Sequence, residues 1–564
     1  MDPQDRGIAT GRGIFKRHEA AVIFFVGVFL LLPRIWCETS ITGQDEYWLS
    51  FRTPMETMEQ DSWLTPWVNG EPRLRKPPLL YWAILLGYKL LGIHLFAARI
   101  WGVLAGAGLA ACSTLLYREL FRKSGILAGL ITLATLSVAI EGRRAMLDLP
   151  LAFFTAMAVL FALRWGRSGR CGWILLAAFS LGLSFLIKGP VGIILFAVAS
   201  LSALWVFGRW RFLAVKWTHA LWALLLLLAV SLPWPIRMAC LWPDFLNIID
   251  SEVAARGVGT VHMGSPFSTL GGAFGLVFPW SLILLAAVIG SFRHSREPWG
   301  REGLWLSIWF LGCIVPFFFI RSFARYMTPL IPAAAVLCAH WLDQGEGAWR
   351  TTLLNITMSL MALIAVFFCL FFIWFGQGVP MAVICLMAVG LMLWMTFSKK
   401  DVHLVAGCVA LLLCLLMGGL YPSLGINALP AHLNERIGSR PIAAFNSSQP
   451  SMLSIRMKRS AIRLGSSSRD DIRSLRQLDG FVFVRGSDIG EFEALAKKAG
   501  VPFEKAGDVR SFYSRQAWIR FAREDATAED WGKALRSRSL ETLKPMVCYY
   551  RVRPPGEMDT AGKK

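Results

Sequence analysis

The sequence predicts a polytopic α-helical membrane protein that ends in a small α/β domain. Of its 564 residues, 55% are hydrophobic and only 17% are charged, well below the share that is usual in soluble domains. Apolar runs that are long enough to cross a bilayer as helices recur along most of the chain. From about residue 422 the composition changes and short strand-like segments appear. We therefore expect a cytoplasmic N-terminus at 1–19, a transmembrane domain at 20–421 and a C-terminal domain at 422–564.

The apolar runs predict about thirteen transmembrane helices. They lie at 20–37, 97–117, 124–141, 147–163, 172–187, 189–207, 218–236, 269–290, 302–320, 326–342, 351–375, 380–396 and 402–421. A further run, 78–92, is too short to span comfortably. If it lies along the interface, the loops rich in Lys and Arg all fall on the cytoplasmic side, as the positive-inside rule requires. We therefore expect an interfacial helix there, inside a first periplasmic loop at 38–96.

The charge and the cysteines exclude other classes of protein. The formal net charge of +21 is explained by basic cytoplasmic loops, and no basic face with interleaved aromatic residues accompanies it, so nucleic acid is not an expected partner. Ten of the 11 cysteines lie within or beside apolar segments, which argues against a disulfide framework and against a cysteine-ligated zinc site. The basic N-terminus has no small-residue cleavage site after its first apolar run, so we expect an uncleaved first helix.

Two charged motifs follow the first predicted span. Asp45 and Glu46 open a loop rich in Trp and Pro, a composition typical of amphipathic helices at the bilayer interface. A carboxylate here can act as a general base or orient an acceptor, and a solvated loop start is the alternative. Lys76 precedes Pro77 and Pro78, and proline holds the preceding residue extended. A cation fixed at head-group level suits a phosphate, and an ordinary snorkelling anchor is the alternative.

Further charges occur at helix ends that the predicted topology puts on the same face. Asp148 begins an otherwise apolar helix, where it can cap the helix, neutralise Arg143 or Arg144, or line a polar cavity. Lys188 lies in a hairpin between two spans, against the charge bias of the outer loops, which favours a functional role.

The long outer loop before the span at 269–290 adds candidates. Glu252 and Arg256 are four residues apart and would share a helix face, and Arg binds phosphate oxygens as a planar fork. His262 is a candidate ligand or base, although a single loop histidine is more often only solvated. Tyr326 lies at the mouth of a span, where an interfacial tyrosine is the ordinary explanation.

The C-terminal part shows alternating and apolar segments that predict strands at 441–445, 480–485 and 546–552. The segment 488–500 has the periodicity of a helix. No catalytic pattern occurs here, so we expect a domain that covers substrate or binds a partner.

These motifs, taken in order along the chain, resemble a known family. Asp45-Glu46, Lys76-Pro-Pro, Arg143…Asp148-Leu-Pro, Lys188-Gly189 and Arg325-Tyr326 occur in the same order in the ArnT-like and protein-mannosyltransferase-like (PMT) group of GT-C glycosyltransferases. The resemblance covers the whole membrane region. It implies the GT-C fold and a bacterial inner-membrane enzyme, with its active site facing the periplasm, that uses a polyprenyl-phosphate sugar.

The resemblance also implies roles for single residues. Asp45 takes the position of the catalytic carboxylate, and Lys76 and Arg256 look like binders of the donor phosphate. The residues implied to line the cavity or contact substrate are Glu46, Arg143, Asp148, Lys188 and Tyr326.

Two departures from the family pattern concern metal binding. Arg75 stands where an acidic residue is common, and Val253 stands where the family has a histidine after its glutamate. Both changes remove candidate ligands, so we predict no metal-binding residue. No cofactor is firmly predicted, and a divalent metal is disfavoured.

The sequence thus predicts a glycosyltransferase that moves a sugar from a polyprenyl-phosphate donor to a lipid A or lipopolysaccharide, other glycan or protein acceptor. The resemblance suggests 4-amino-4-deoxy-L-arabinose or a hexose as the sugar. One candidate base, rather than a retaining pair, favours inversion. The expected partners are this donor, a lipid or glycan acceptor and membrane lipids. The alternative is a secondary transporter or lipid-linked-sugar flippase, which would hold its charges near the membrane midplane, often in repeated halves.

Overall fold

The computed structural model describes residues 18–43, 46–255, 266–295, 297, 300–320, 323–344, 347–399, 401–446, 452–465, 469–512, 514–515, 518–519, 522–523 and 525–555. The predicted cytoplasmic N-terminus, 1–19, therefore lies almost wholly outside the described residues.

The membrane region is built from helices joined by short turns. Their bounds are α1 His18–Leu31, α2 Arg52–Glu59, α3 Leu79–Leu91, α4 Leu95–Phe121, α5 Ile126–Leu133, α6 Leu136–Glu141, α7 Asp148–Ser168, α8 Cys171–Lys188, α9 Val191–Phe207, α10 Trp210–Val215, α11 Trp217–Ser231, α12 Pro233–Leu241, α13 Phe245–Ala255, α14 Pro266–Leu276, α15 Ser281–Arg293, α16 Gly300–Ile314, α17 Ile331–Asp343, α18 Ala348–Trp374, α19 Val379–Trp394 and α20 Val402–Cys414. Single π-helical or 3₁₀ turns occupy Glu46–Ser50, Val315–Phe318, Ala324–Leu330, Met395–Lys399, Leu415–Leu420 and Tyr421–Leu424.

Many of these helices are long and apolar enough to cross a bilayer. In the described part of the chain, eight helical stretches pass that test, or up to nine if the bent pair α14 and α15, which meet at 104°, forms one span. Helices α1, α3 and α9 are apolar but shorter. The chain is therefore a multi-pass, mostly helical membrane protein. Each of the thirteen predicted spans contains helix, but the helix is interrupted at α5–α6, α11–α12 and α14–α15, and the count of thirteen stays a prediction.

Helix α3 has the length expected of an interfacial helix. It has 13 residues, and at about 1.5 Å per residue it covers about 20 Å, short of the roughly 30 Å of a bilayer core. Leu90 and Leu91, the last two residues of α3, are exposed, whereas Ile84 and Tyr88 are buried. This burial pattern suits a helix that lies on the bundle with one side toward lipid, although its depth stays a prediction.

The C-terminal part forms an α/β layer. The strands of its main sheet are β3 Ile442–Phe445, β4 Ile462–Leu464, β5 Gly480–Arg485, β6 Phe503–Arg510 and β9 Met546–Val552, and a minor pair is β7 Ser514–Arg515 and β8 Trp518–Ile519. The first loop contains a separate short pair, β1 Trp67–Val68 and β2 Glu71–Pro72. The main sheet has the order β4-β3-β5-β9-β6, with β3 parallel to both neighbours and β9 antiparallel to both of its own. The associated helices are α21 Leu433–Ile437, α22 Leu453–Met457, α23 Arg469–Gln477, α24 Ile489–Ala499 and α25 Ala528–Ser537.

The strand and helix predictions for this part are confirmed by β3, β5, β9 and α24. All four residues of β3 are buried, as expected for a strand inside a parallel arrangement. One face of the sheet packs on α24 through Phe492 and Leu495, which lie in one core with Val482 and Cys548. The domain boundary at 421/422 and its side of the membrane stay predictions.

The other face of the sheet packs on the first loop. Phe51 and Met55 of the loop share a buried cluster with Tyr88 of α3 and with Ile442 and Phe481 of the sheet. The sequence predicted amphipathic helices resting on the interface here, but six of the eight residues of α2 are buried. The polar residues of α2 can be buried because Arg52 donates to Glu56 one turn later, at 2.6 Å, and to the carbonyl of Ala461 at 3.2 Å.

Candidate functional site

Buried charges gather at one end of the helical bundle. At this end, which we call the charged end, α6 and α8 finish and α4, α7 and α17 begin. The side chains of Glu46, Arg99, Asp148 and Arg325 there are all at most 6% exposed. Charges buried at a helix end are costly unless they are paired or used, so the partners of each one decide its role.

Asp148 lies at the centre of one cluster. It is the first residue of α7 and is 2% exposed. Lys188 Nζ, at the end of α8, donates to Asp148 Oδ1, and Arg325 Nε lies 3.3 Å from Oδ2. The sequence offered Arg143 and Arg144 as partners for Asp148. Among the described residues, the ion pairs of Asp148 are instead with Lys188 and Arg325.

Tyr326 closes this cluster on one side. The ammonium of Lys188 lies 3.5 Å from the centre of the Tyr326 ring, and the guanidinium carbon of Arg325 lies 5.5 Å from the same centre. An aromatic face attracts cations, so the ring holds both positive groups beside Asp148. The described residues thus bring two cations together with a carboxylate in a buried place. Cations held in this way favour contact with an anion.

Glu46 forms a second cluster with Arg99. Its Oε1 accepts from Arg99 Nε at 2.8 Å and from the backbone N–H of Ala145 at 2.9 Å. Arg99 also donates to the carbonyls of Ile35 and Cys37, at 3.0 and 3.1 Å, and to Thr42 Oγ1 at 2.6 Å. These bonds fix the chain after α1 against the start of α4. In the structure Glu46 is fully buried and pairs with Arg99, and its predicted place in the substrate cavity stays a prediction.

The turn between α6 and α7 joins the two clusters. Arg144 donates to Glu141 Oε1 at 2.6 Å, and its Nε lies 3.9 Å from Glu46 Oε2. The turn can approach α4 this closely because residue 102 is glycine: a Cβ on Gly102 would lie 2.4 Å from the Arg144 carbonyl oxygen. Any larger residue at 102 would push Arg144 and the start of α7 away from α4.

Arg143 points into the bundle. It is fully buried and donates to the carbonyls of Ala139, at 2.8 Å, and Leu30, at 2.6 Å. The resemblance implied a place in the substrate cavity, which stays a prediction. In the structure Arg143 ties α6 to α1, because its guanidinium satisfies one carbonyl near the end of each helix that the helix itself leaves without a partner.

Lys76 lies at the outer side of the charged end. Its Nζ donates to Glu252 Oε1 of α13 at 2.6 Å, and both side chains are about one fifth exposed. Leu74, two residues before Lys76, shares an apolar cluster with Leu186, Trp234 and Phe245 and so stabilises this contact. The first loop is thereby held against α12 and α13, and the cation stays at the rim of the charged end.

Three predicted residues cannot be compared with the structure. Asp45, the predicted catalytic carboxylate, and Arg256 and His262 of the outer loop all lie outside the described residues. The chain on both sides of Asp45 is described: Gly43 precedes the gap, and the buried Glu46 follows it. No group of three or more His, Cys, Asp or Glu that could hold a metal occurs among the described residues.

The roles of two residues in these clusters were not predicted from the sequence. Arg99 was not singled out, although an arginine near the start of an apolar helix is itself a signal of a buried partner. Arg325 was noted only as part of a motif, whereas the structure puts it on Asp148.

Known proteins resemble this chain in sequence. Residues 75–234 match the family described as dolichyl-phosphate-mannose-protein mannosyltransferase. A Pseudomonas fluorescens (strain Pf0-1) protein named undecaprenyl phosphate-alpha-4-amino-4-deoxy-L-arabinose arabinosyl transferase 1 is 26% identical over 367 residues, 62% of each chain. A Pseudomonas aeruginosa (strain UCBPP-PA14) transferase with that name, without the number, is 28% identical over 320 residues, 54% of this chain and 57% of that one. The match thus spans about three fifths of these relatives.

The fold is also shared with a solved structure. The crystal structure of ArnT from Cupriavidus metallidurans bound to undecaprenyl phosphate aligns with 96% of this chain and 98% of its own, with a TM-score of 0.69 at 18% identity. The chain thus resembles ArnT-like and PMT-like proteins in sequence over part of its length, and it shares the GT-C fold of the ArnT structure. In this GT-C chain, the segment matched by the family description runs from just before α3 to the start of α12 and carries Lys76, Asp148 and Lys188. Glu252 and Arg325, which pair with these residues, lie outside it.

Proposed function

We propose that this protein transfers a sugar from a polyprenyl-phosphate donor to an acceptor at the charged end of the bundle, facing the periplasm of a bacterial inner membrane. The observation that carries the proposal is the cluster of Lys188 and Arg325 on the buried Asp148, next to the Lys76–Glu252 contact at the rim. These contacts concentrate cations at one end of a membrane bundle, which supports binding of a phosphate leaving group near that end.

The chemistry demanded of this site is a displacement. The bond between the anomeric carbon of the sugar and the donor phosphate oxygen breaks, and a bond from an acceptor oxygen to the same carbon forms. Negative charge grows on the departing phosphate, so cations held near it stabilise the transition state more than the bound donor. A hydroxyl acceptor must also lose a proton to a base, whereas an ionised phosphate acceptor need not.

The residues divide between these tasks. We assign the donor phosphate to Lys76 and Arg256, and the acceptor side to Asp45, as base or as an orienting group. Lys188, Tyr326 and Asp148 form the wall of the same cavity. Glu46 acts on the site only through the backbone, because its buried contacts with Arg99 and Ala145 fix the segment that follows Asp45.

The names of the relatives suggest the substrates. The two Pseudomonas relatives are named for an undecaprenyl-phosphate donor of 4-amino-4-deoxy-L-arabinose, and the C. metallidurans ArnT is described as bound to undecaprenyl phosphate. We therefore propose this amino sugar as the first donor to test, with a lipid A phosphate as the acceptor. A hexose and another glycan or protein acceptor form the second pair.

The transporter or flippase alternative has less support. A transporter would hold its charges near the membrane midplane on broken helices. Here Asp148 begins α7, Lys188 ends α8 and Glu46 follows α1, so these charges lie at helix ends.

Transfer by purified protein tests the proposal. We would incubate it with undecaprenyl-phosphate 4-amino-4-deoxy-L-arabinose and lipid A, and measure modified lipid A by mass spectrometry. The Asp45→Asn and Lys76→Ala variants should reduce the rate by at least about 100-fold, the usual range for loss of transition-state contacts. The matched controls are Asp61→Asn and Lys89→Ala, which change exposed residues of the first loop and α3 and should keep the wild-type rate.

Two outcomes would overturn parts of the proposal. Full activity in both site variants would move the site away from the first loop. No turnover with a broad panel of lipid-phosphate sugars, together with measurable movement of such a lipid across vesicle membranes, would favour the flippase alternative.

A further inference from the structure

A cavity of about 770 Å³ lies toward the end of the bundle opposite the charged end. Its walls come from nearly all of α9, the later part of α7, the earlier parts of α8 and α11, α10, and the start of α16. Because α7 begins and α8 finishes at the charged end, this cavity opens toward the opposite membrane face. It is separate from the Asp148 cluster.

The shape of the cavity suits a hydrocarbon chain. Its lining follows α9 from Ile193 to Phe207, which at about 1.5 Å per residue is roughly 20 Å along the helix axis, about two thirds of the thickness of a bilayer core. Leu, Ala and Phe side chains form most of the wall. One turn from the mouth residue Arg301, the fully buried Trp305 donates from its indole to the Ala199 carbonyl at 2.9 Å and so ties α16 to α9.

The mouth of the cavity is basic. Arg167, Arg209, Arg301 and Glu302 line it. Arg167 pairs with Glu119 at 3.0 Å, but Arg209 and Arg301 are exposed and form no ion pair within the residues that the structure describes. Two arginines are therefore available at the level where the apolar walls end.

The mouth lies at the depth of lipid head groups. The short helix α10, next to Arg209, has no buried residue and carries the exposed Trp210, and tryptophan favours the membrane interface. This helix is docked on the bundle, because Phe212 packs edge-on against Trp165 of α7 with ring centres 5.0 Å apart. The arginines are thus held at an ordered rim.

We propose that this cavity is a binding site for an anionic phospholipid. Its acyl chains would occupy the apolar walls, and its phosphate would bind Arg209 and Arg301, as basic pockets between transmembrane helices bind anionic head groups. A polyprenyl-phosphate donor is the less suitable occupant, because the proposed phosphate-binding residues lie at the other end of the bundle. The site would tie the stability of the α8–α11 region to the lipid composition of that leaflet.

Lipid binding by the purified full-length protein tests this. Native mass spectrometry would measure the apparent Kd for dioleoyl-phosphatidylglycerol and dioleoyl-phosphatidylcholine. We expect tighter binding of the anionic lipid, and a loss of about 25-fold in the double variant Arg209→Gln/Arg301→Gln, from the usual contribution of basic residues near anionic lipid. The matched control is Arg211→Gln/Arg293→Gln, which removes the same charge near the same face but from residues that do not line the cavity.

A second variant separates the cavity from surface charge. Ala197→Trp on α9 fills the apolar wall without changing a charge, and it should weaken binding of both lipids, with thermal unfolding of the lipid-free protein confirming that it is folded. Equal affinity of wild type for the two lipids would overturn the proposal. Equal losses in the cavity and control arginine pairs would reduce it to a general surface effect. Displacement of phosphatidylglycerol by equimolar undecaprenyl phosphate would identify the donor tail as the occupant instead.

Discussion

Arg99→Met is predicted to be among the most destabilising single substitutions at the charged end. The change removes the cation 2.8 Å from the buried Glu46 carboxylate. What remains for Glu46 is the Ala145 N–H at 2.9 Å and the more distant Arg144 at 3.9 Å. Leaving one partner of a buried ion pair usually costs about 3–5 kcal/mol. The carbonyls of Ile35 and Cys37 lose a donor too, while Arg144 compensates partly, so we expect a loss of about 4 kcal/mol.

The reverse change should cost less, and this asymmetry is the specific test. In Glu46→Gln, the amide oxygen can still accept from Ala145, and Arg99 keeps the Ile35 and Cys37 carbonyls as acceptors. We expect a loss of about 1–2 kcal/mol. The double variant removes both charges, so it should be more stable than Arg99→Met alone by about 2 kcal/mol, since replacing both members of a buried pair is often tolerated.

The assay is unfolding by SDS in mixed micelles, followed by circular dichroism. Arg73→Met is the control. Arg73 is half-buried, and among the described residues its side chain donates one hydrogen bond, to the Tyr81 hydroxyl at 2.9 Å. It should cost about 1 kcal/mol. The reasoning fails if Arg99→Met costs no more than this control, or if the effects of Arg99→Met and Glu46→Gln simply add.

Three further predictions concern the site and its cover. Lys188→Met should lower kcat for transfer by about 100-fold, because the cation beside Asp148 is lost, whereas Lys188→Arg keeps a cation and should retain part of the wild-type kcat. The same kcat in the Met and Arg variants would refute a role for the charge. Lys76→Ala should lower kcat/KM for the donor far more than Lys89→Ala, and equal effects in steady-state assays would contradict phosphate binding. Arg456→Gln breaks the two-point contact with Glu38, which is about one fifth exposed, and should cost only about 1 kcal/mol. Hydrogen exchange should then rise around 453–464 but not in α7, and unchanged exchange at 453–464 would contradict docking through this pair.

Much of the fold could be predicted because its signals are local. Each predicted span rested on a run of apolar residues, and helix satisfies backbone hydrogen bonds inside a membrane from within the same run. The strands at 480–485 and 546–552 followed in the same way from short alternating segments. The helix breaks at α5–α6, α11–α12 and α14–α15 were missed, because their interruptions are short and mostly apolar and so hardly lower the hydropathy.

The candidate site could be predicted only in part. The sequence found Asp148 and Lys188 and put them on one face, but the only ion-pair partners that it offered for Asp148, beside a capping or cavity role, were its neighbours Arg143 and Arg144. The structure pairs it with Lys188, 40 residues away, and with Arg325. The sequence also could not show that Glu46 is buried against Arg99, because that contact depends on how α4 packs on the first loop.

By itself, then, the sequence determined that the chain is a bundle of membrane helices with charges gathered at one end, because hydropathy and loop charge act residue by residue along the chain. Only the tertiary structure decided which charges bind one another. It turned Glu46 and Arg143 into internal supports, and it left Lys188 and Arg325 with Asp148 beside the Tyr326 ring. The physical reason is that a buried charge takes its role from the partners within a few ångströms, and helix packing, not sequence distance, brings those partners together.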